Sequence, residues 1–318
     1  MPGFGAWIKT KMFGLAEREI DFSYRGFLIK DEQKRKHLEN SGGKFVDGFN
    51  IALASNSVDE LGQTLRETID PAFQGFAHEG AAMALWILDW VTPWNRNRFQ
   101  TFLAGPGEPH YYMSVIGAGW AMGRLPGNFD RRREAVDPFF GWLAADGYGF
   151  HEGFFKPEAS FIRHETPKKL NPYSYQAFDQ GLGRSMWFYC CADVDQIVKT
   201  LRAFPKERHA SLWAGIGLAC TYAGGLSESE IEHLKTEAGD LAEHMAQGCA
   251  FACKARFRAG NPVPHNELAS RVLCGINAIE AAEITDKALG DWPENAGNRF
   301  ELWRSRIRKQ LAMIHSKS

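Results

Sequence analysis

Two short strings in this 318-residue chain set a histidine and a glutamate beside a glycine: Gly75-Phe76-Ala77-His78-Glu79-Gly80 and Gly149-Phe150-His151-Glu152-Gly153. Asp179-Gln180-Gly181 holds the same place in a third apolar stretch. Histidine titrates near neutrality, and burial raises a glutamate toward it, so these groups can work as general acids and bases. The same donors suit a divalent metal such as Fe(II), Mn or Zn, although no cofactor is expected. Neighbouring residues on a helix differ by roughly 100°. A shared cavity therefore receives either His78, His151 and Asp179 or Glu79, Glu152 and Gln180. The competing account is helix-start chemistry, with glutamates favouring the dipole and buried histidines bonded to the next helix. Arg184 stands in the apolar run GLGRSMWF, where a charge needs a partner. Asp179, Glu152 or an anionic substrate group would serve.

Rings follow these strings closely. Tyr112, Trp120, Tyr148, Phe154, Trp187, Trp213 and Tyr222 are the candidate substrate-binding side chains. Aromatic stripes on helices are more often core than ligand box, yet an apolar pocket with few polar groups is what a long unsaturated or polycyclic ligand needs. His110, after the rigid Gly105-Pro106-Gly107-Glu108-Pro109 turn, is a further site candidate. The doublet Asp193-Val194-Asp195 reads as a helix cap before QIVKTL. The chain has no Walker loop, dinucleotide fingerprint, nucleophile elbow, His-Glu-x-x-His or Cys-x-x-Cys pair. Six cysteines in small-residue runs read as reduced and buried between helices.

The elements that must position these groups are helices. Long Ala/Gly-rich apolar runs dominate, and short alternating β-branched windows are almost absent. Ser227 with Glu230 has the spacing of a capping box. A glycine opens an apolar stretch at Gly80, Gly117, Gly153, Gly181, Gly215, Gly248 and Gly275, with spacings that scatter around 34. That period, with Trp213, Gly217, Tyr222 and Ala223 echoing a tetratricopeptide pattern, predicts an all-α fold of two-helix repeats. These would form a superhelix or closed helical solenoid, and an irregular bundle is the rival. Residues 1–45 read as an N-terminal arm or cap and residues 46–318 as one helical-repeat domain. The polar stretch Lys156 to Pro172 reads as a long loop or lid. The last helix is basic on one face, as a solvated cap or a docking helix for a partner or an anionic membrane.

Lysine plus arginine number 37 and aspartate plus glutamate 38, a net charge of -1 that argues against a dedicated nucleic-acid binder. No stretch has the roughly 20 apolar residues of a membrane span, and the first residues lack a signal-peptide core. The expected location is the cytoplasm, with a peripheral position at the inner membrane as the variant.

The strings GFAHEGAAMALWILD, RFQTFLAGPGEPHYYMSVIGAGWAMGRLP, DPFFGWLAADGYGFHEGFF, AFDQGLGRSMWF, LWAGIGLACTYAGG and AQGCAFACKARFRAGN resemble a bacterial domain-of-unknown-function family encoded beside enediyne polyketide synthases. The resemblance covers most of the chain. It implies a biosynthetic protein working on a linear polyene with neighbours such as the polyketide synthase, an FG-GAP-type repeat protein and a membrane protein. It carries over no site residues. The leading expectation is an enzyme, or an obligate enzyme component, that rearranges, desaturates or cyclises a long hydrophobic polyene-like substrate. His78, Glu79, His151, Glu152, Asp179 and Arg184 are its candidate catalytic residues. The alternatives are a tetratricopeptide-like scaffold for partner proteins and a protonation-initiated isoprenoid or polyene cyclase with Asp179 or Asp193 as its acid.

Overall fold

The computed structural model describes residues 14–92, 94–168, 170–292 and 298–315. Among them every regular element is helical. Seven long helices succeed one another: α1 (Glu32–Ala54), α3 (Gln74–Val91), α5 (Tyr111–Arg124), α7 (Trp142–Phe155), α8 (Pro172–Tyr189), α10 (Lys206–Ala223) and α12 (Ala242–Ala259). Shorter helices join most of them: α2 (Val58–Thr68), α4 (Arg98–Ala104), α6 (Phe129–Val136), α9 (Val194–Arg202), α11 (Glu228–Ala238) and α13 (Pro264–Cys274). α14 (Ala278–Lys287) and α15 (Arg299–His315) follow. The caps are those that composition favours. Asp31, Ser57, Asn128, Asn171 and Asp193 accept bonds from first-turn amides, and Ser227 forms the expected box with Glu230.

Each long helix packs beside the next. Tyr148 meets Phe178, Gly153 meets Ser185 and Phe154 meets Phe188, so α7 and α8 advance together and run parallel. Gly217 facing Met245 and the Tyr222 carbonyl facing Arg256 give α10 and α12 the same sense. A long helix, a short return and a second long helix produce that arrangement.

Glycines set the spacing. A methyl group on Gly80, Gly117, Gly147, Gly181, Gly215 or Gly248 would fall on a carbonyl of the preceding long helix, belonging to Phe45, Glu79, Ile116, Asp146, Gln180 or Ala214. From Glu79 onward, that carbonyl is the residue just before the neighbour's own glycine. A second set faces forward: Gly48, Gly119, Gly149, Gly183 and Gly217 meet the carbonyls of Ala77, Ala144, Phe178, Leu212 and Met245. With no Cβ in the way, the backbones touch and small residues fill the seam.

This register corrects the sequence repeat at two places. Gly153 meets the side chains of Ser185 and Phe161 rather than a backbone, and Gly275 is a left-handed helix end with φ +72°. Gly147 occupies the position assigned to Gly153. The residues that precede equivalent glycines are therefore Glu79, Ile116, Asp146, Gln180, Ala214 and Gln247, and Glu152 is not among them.

The row curls back on itself, α12 reaching the start of α3 and α1 reaching the end of α10. Arg256 of α12 donates to the carbonyls of Ala72 and Tyr222, and Asn261 donates to the Pro71 carbonyl at 2.9 Å, which places the end of α12 against the start of α3. His37 of α1 donates through Nε2 to the Ala223 carbonyl, 2.6 Å away. The expected boundary at residue 45 falls inside α1, which packs along α3 as the first member of the row. Residues 1–13 of the expected arm lie outside the described residues. Its described part, 14–31, lies against the row. The Asn50 side chain bonds both backbone groups of Leu15, and the Leu28 amide donates to the Tyr189 carbonyl at 2.8 Å. No helix of the described residues is long and apolar enough to cross a membrane.

Gly215→Ala places a methyl group on the Gln180 carbonyl between rigid backbones and is expected to destabilise by ~3 kcal/mol or more. Gly43→Ala, in α1 with no atom near the added methyl group, is expected to stabilise by ~0.5–1 kcal/mol. Urea unfolding of both variants checks the pair.

Candidate active site

The inner faces of the curled row carry an apolar pocket of about 40 Å3. Phe45, Phe76, Trp120, Phe150, Phe154 and Phe188 wall it, and Leu15 and Ile20 of the N-terminal segment cover it. Glu19 of the covering segment, paired with Arg25, also lines it, and two further charged side chains, Glu79 and Arg184, reach it from within. Glu79 and Arg184 are almost fully buried.

Glu79 comes from α3, one residue before a contact glycine, so its backbone is fixed against α5. Trp120 Nε1 of α5 donates to its Oε1 at 2.9 Å. Arg184 Nη2 of α8 stands 3.8 Å from the same oxygen. Arg184 spends its nearer nitrogen on Asp146 Oδ1 of α7, and Gln180 Nε2 holds Asp146 Oδ2 at 2.8 Å. The guanidinium also lies 5.0 Å from the centre of the Phe150 ring. Asp146 thus binds Arg184 tightly, while Glu79 takes one indole bond and a longer ionic contact. Burial pushes the Glu79 carboxyl up to about 7, against the opposing pull of Arg184 and the Trp120 bond. Such a group exchanges a proton near neutral pH. Arg184 is raised: burial disfavours its charge, and Asp146 and Glu79 outweigh that.

The other candidates lie elsewhere. His78 is turned away from Glu79 around α3. Its Nδ1 donates to the Gln74 carbonyl at 2.8 Å, and its ring lies 4.1 Å from that of His110. Burial lowers His78 to about 4 and His110 to about 3, so both are neutral at ordinary pH. His151 accepts from Arg124 Nε at 3.2 Å on Nε2, which leaves Nδ1 to donate to Glu152 at 3.0 Å. It sits behind Trp120, ring centroids 6.0 Å apart, and does not line the pocket. Glu152 is further tied to Lys156 at 2.8 Å. Asp179 takes a two-pronged bond from Arg208, away from Arg184. Asp193 caps α9 through the Gln196 amide. The convergence of His78, His151 and Asp179 does not occur, because the register that brings Glu79 inward turns its neighbours outward.

Of the seven candidate ligand-binding rings, Trp120 and Phe154 line this pocket. Tyr112 and Tyr222 line a second one, of about 30 Å3, between α5, α10 and α12. Tyr148 packs on Phe129 and Phe178, Trp187 donates to the Gly224 carbonyl at 3.1 Å, and Trp213 is core. The loop after Lys156 forms a π-helical turn over Glu158–Ile162 and anchors Arg208 through the His164 carbonyl, while the N-terminal segment closes the pocket. Asp146 escaped the sequence reading. The signal for it was Gly147-x-Gly149, the same pair as Gly181-x-Gly183 and Gly215-x-Gly217. The cysteine thiols are free and buried, and burial raises those of Cys190, Cys191 and Cys220. Among the described residues no group of three or more His, Cys, Asp or Glu side chains is placed to hold a metal ion.

Residues 4–311 match a family model described as Protein of unknown function (DUF1702), so the chain belongs to that family. Searches of curated proteins and of solved structures each found no match.

Two measurements test the electrostatics. Arg184→Met leaves Asp146 buried without its ion partner and is expected to cost ~3–5 kcal/mol, most of it recovered in the Asp146→Asn/Arg184→Met double variant. In pH titrations of stability, Glu79 contributes fully below its ordinary 4.5 and loses that contribution as pH rises through about 7. The buried histidines act oppositely: the His78 contribution is present above 6.5 and lost as pH falls through about 4. Glu79→Gln is therefore expected to flatten the neutral limb by ~3 kcal/mol and leave the acid limb steep, as read by urea unfolding across that range.

Proposed function

We propose that this member of the family is an enzyme, or an obligate component of one, that moves a proton on a slim, hydrophobic, unsaturated chain. The observation that carries the reading is Glu79: a carboxyl enclosed by rings, poised near neutrality, with an indole and a guanidinium on one of its oxygens. Buried carboxylates in apolar cores are costly unless used or tightly paired, and Glu79 is the loosely paired member of its cluster. The chemistry such a site supports is a proton shift. The Glu79 carboxylate takes an allylic proton, the electron pair delocalises along the polyene, and the protonated carboxyl returns a proton to a distal carbon with the double bonds displaced. Proton and charge balance, and no oxidant is needed. The Arg184 cation beside Glu79 would stabilise the negative charge that moves onto the chain, and the rings of Trp120 and Phe150 would keep water away from it.

The wider setting follows the sequence resemblance: assembly of an enediyne-type core in the cytoplasm, beside a polyketide synthase and its neighbours. The alternation of long inner and short outer helices supports a tetratricopeptide-like solenoid closed on itself. A scaffold for partner proteins would use an open concave groove, and here rings fill the inner face, which favours the enzyme reading.

The test is isotope exchange. Wild-type protein in deuterium oxide is expected to introduce deuterium into a linear conjugated polyene, with a pH profile that turns near 7. Glu79→Gln is expected to lose ~100-fold or more of that exchange while His78→Gln keeps it. Exchange that survives in Glu79→Gln, or that wild-type protein never catalyses, overturns the proposal.

A further inference from the structure

We infer that the two apolar pockets are the halves of one chain-binding channel, and that the ring pair Phe76–Tyr222 is the gate between them. The inference rests on the proposed chain-binding reading and adds how the chain is selected by length.

The two pockets share no lining residue, yet a ring contact joins a wall residue of one to a wall residue of the other. Phe76 walls the pocket that contains Glu79, and Tyr222 walls the second pocket. Their centroids are 5.3 Å apart in an edge-on contact. Adjacent residues of α3 face the two sides. Phe76 points to the first pocket, while a methyl group at Gly75 would fall on the Tyr222 hydroxyl and 3.4 Å from Met113 of the second. Gly75 is thus what allows the Tyr222 ring to lie across α3. Tyr222 is held from outside by Arg256, 4.1 Å from its ring centre, and its backbone carbonyl accepts from Arg256 and His265. Its backbone is fixed, so opening the gate requires its buried ring to turn away from Phe76.

The chemistry of the halves differs. The first pocket has Glu79 and Arg184 in its wall. The second is walled by Tyr112, Met113, Leu143, Leu218, Phe251 and Trp303, with no carboxylate among its lining residues, and the ammonium of Lys254, which also lines it, is spent on Asp286 at 2.7 Å. It suits the apolar end of a chain. At about 40 and 30 Å3, each pocket has room for only a few water molecules at ~10–15 Å3 apiece. Any larger ligand must displace wall side chains, and a slim chain displaces fewer of them than a fused-ring one. An unbranched chain that displaces the gate ring gains both pockets, and each methylene buried adds about fourfold in affinity. The occupant is therefore an unbranched apolar chain whose reacting portion stops at Glu79 and whose tail passes Tyr222.

The experiment is displacement of a fluorescent conjugated fatty acid from the full chain by saturated fatty acids from octanoate to octadecanoate. Wild-type affinity is expected to climb with length until both halves are filled. Ala255→Phe puts a ring into the second pocket from a half-buried position on α12. It is expected to weaken the longest acids ~tenfold or more and leave octanoate within ~twofold. Leu218→Trp, from the opposite wall, is expected to do the same. Should both variants keep the wild-type length profile, or weaken all lengths equally, the channel is overturned while the first pocket and its function stand. Failure of every acid to bind wild-type protein overturns the functional reading as well.

Discussion

Backbone contact between glycine and carbonyl decides how closely the long helices approach, and the rest of the molecule follows from that spacing. Helices that meet through large side chains sit 8–10 Å apart with room for side chains to slide. Here a methyl group at any of the seam glycines would strike a neighbour's carbonyl, so the helices lock at shorter range and in one register. Because α5, α7, α8 and α10 each touch both neighbours through glycines two residues apart, the lock passes along the row from α5 to α10. A residue next to a seam glycine then has its direction fixed by two helices at once.

That lock turns a costly feature into a stable one. Charges inside an apolar core are tolerated when they are paired in good geometry. Asp146, Gln180 and Glu79 each precede a seam glycine, and Arg184 follows one by a single residue. All four are held by the same backbone contacts that set the spacing. The Asp146–Arg184 pair is tight, Gln180 completes it, and Glu79 shares what remains of the guanidinium. The unequal division leaves one carboxyl near its neutral form in an aromatic enclosure, a division of roles seen wherever two nearby carboxylates differ in partners.

Burial also separates reactive groups that sequence places side by side. His78 and Glu79 are adjacent in the chain, but a helix turns them apart, so one stacks on His110 and the other enters the pocket. His151 and Asp179 have partners of their own in Arg124 and Arg208. Each is a satisfied packing histidine or carboxylate, the outcome that hydrogen-bond economy favours for most buried polar groups.

Composition and periodicity were enough to determine the helical class, the caps at Asp193 and Ser227, the burial of the cysteines and the roughly 34-residue recurrence, because these depend on local propensity and on single residues. Glu79, Arg184, Trp120 and Phe154 were legible as site candidates for a similar reason: a charge or a ring beside small residues on an apolar helix has few other uses. Tertiary structure alone decided the register. Gly147 rather than Gly153 carries the seam; the Gly147-x-Gly149 pair hints at this, but equivalence is decided by which carbonyl a glycine meets, and that meeting exists only in the fold. The same is true of Asp146 as the partner of Arg184, of the N-terminal segment as the pocket's cover, and of the contact between α12 and the start of α3. Each joins residues far apart in the chain through distances that exist only once the row has curled.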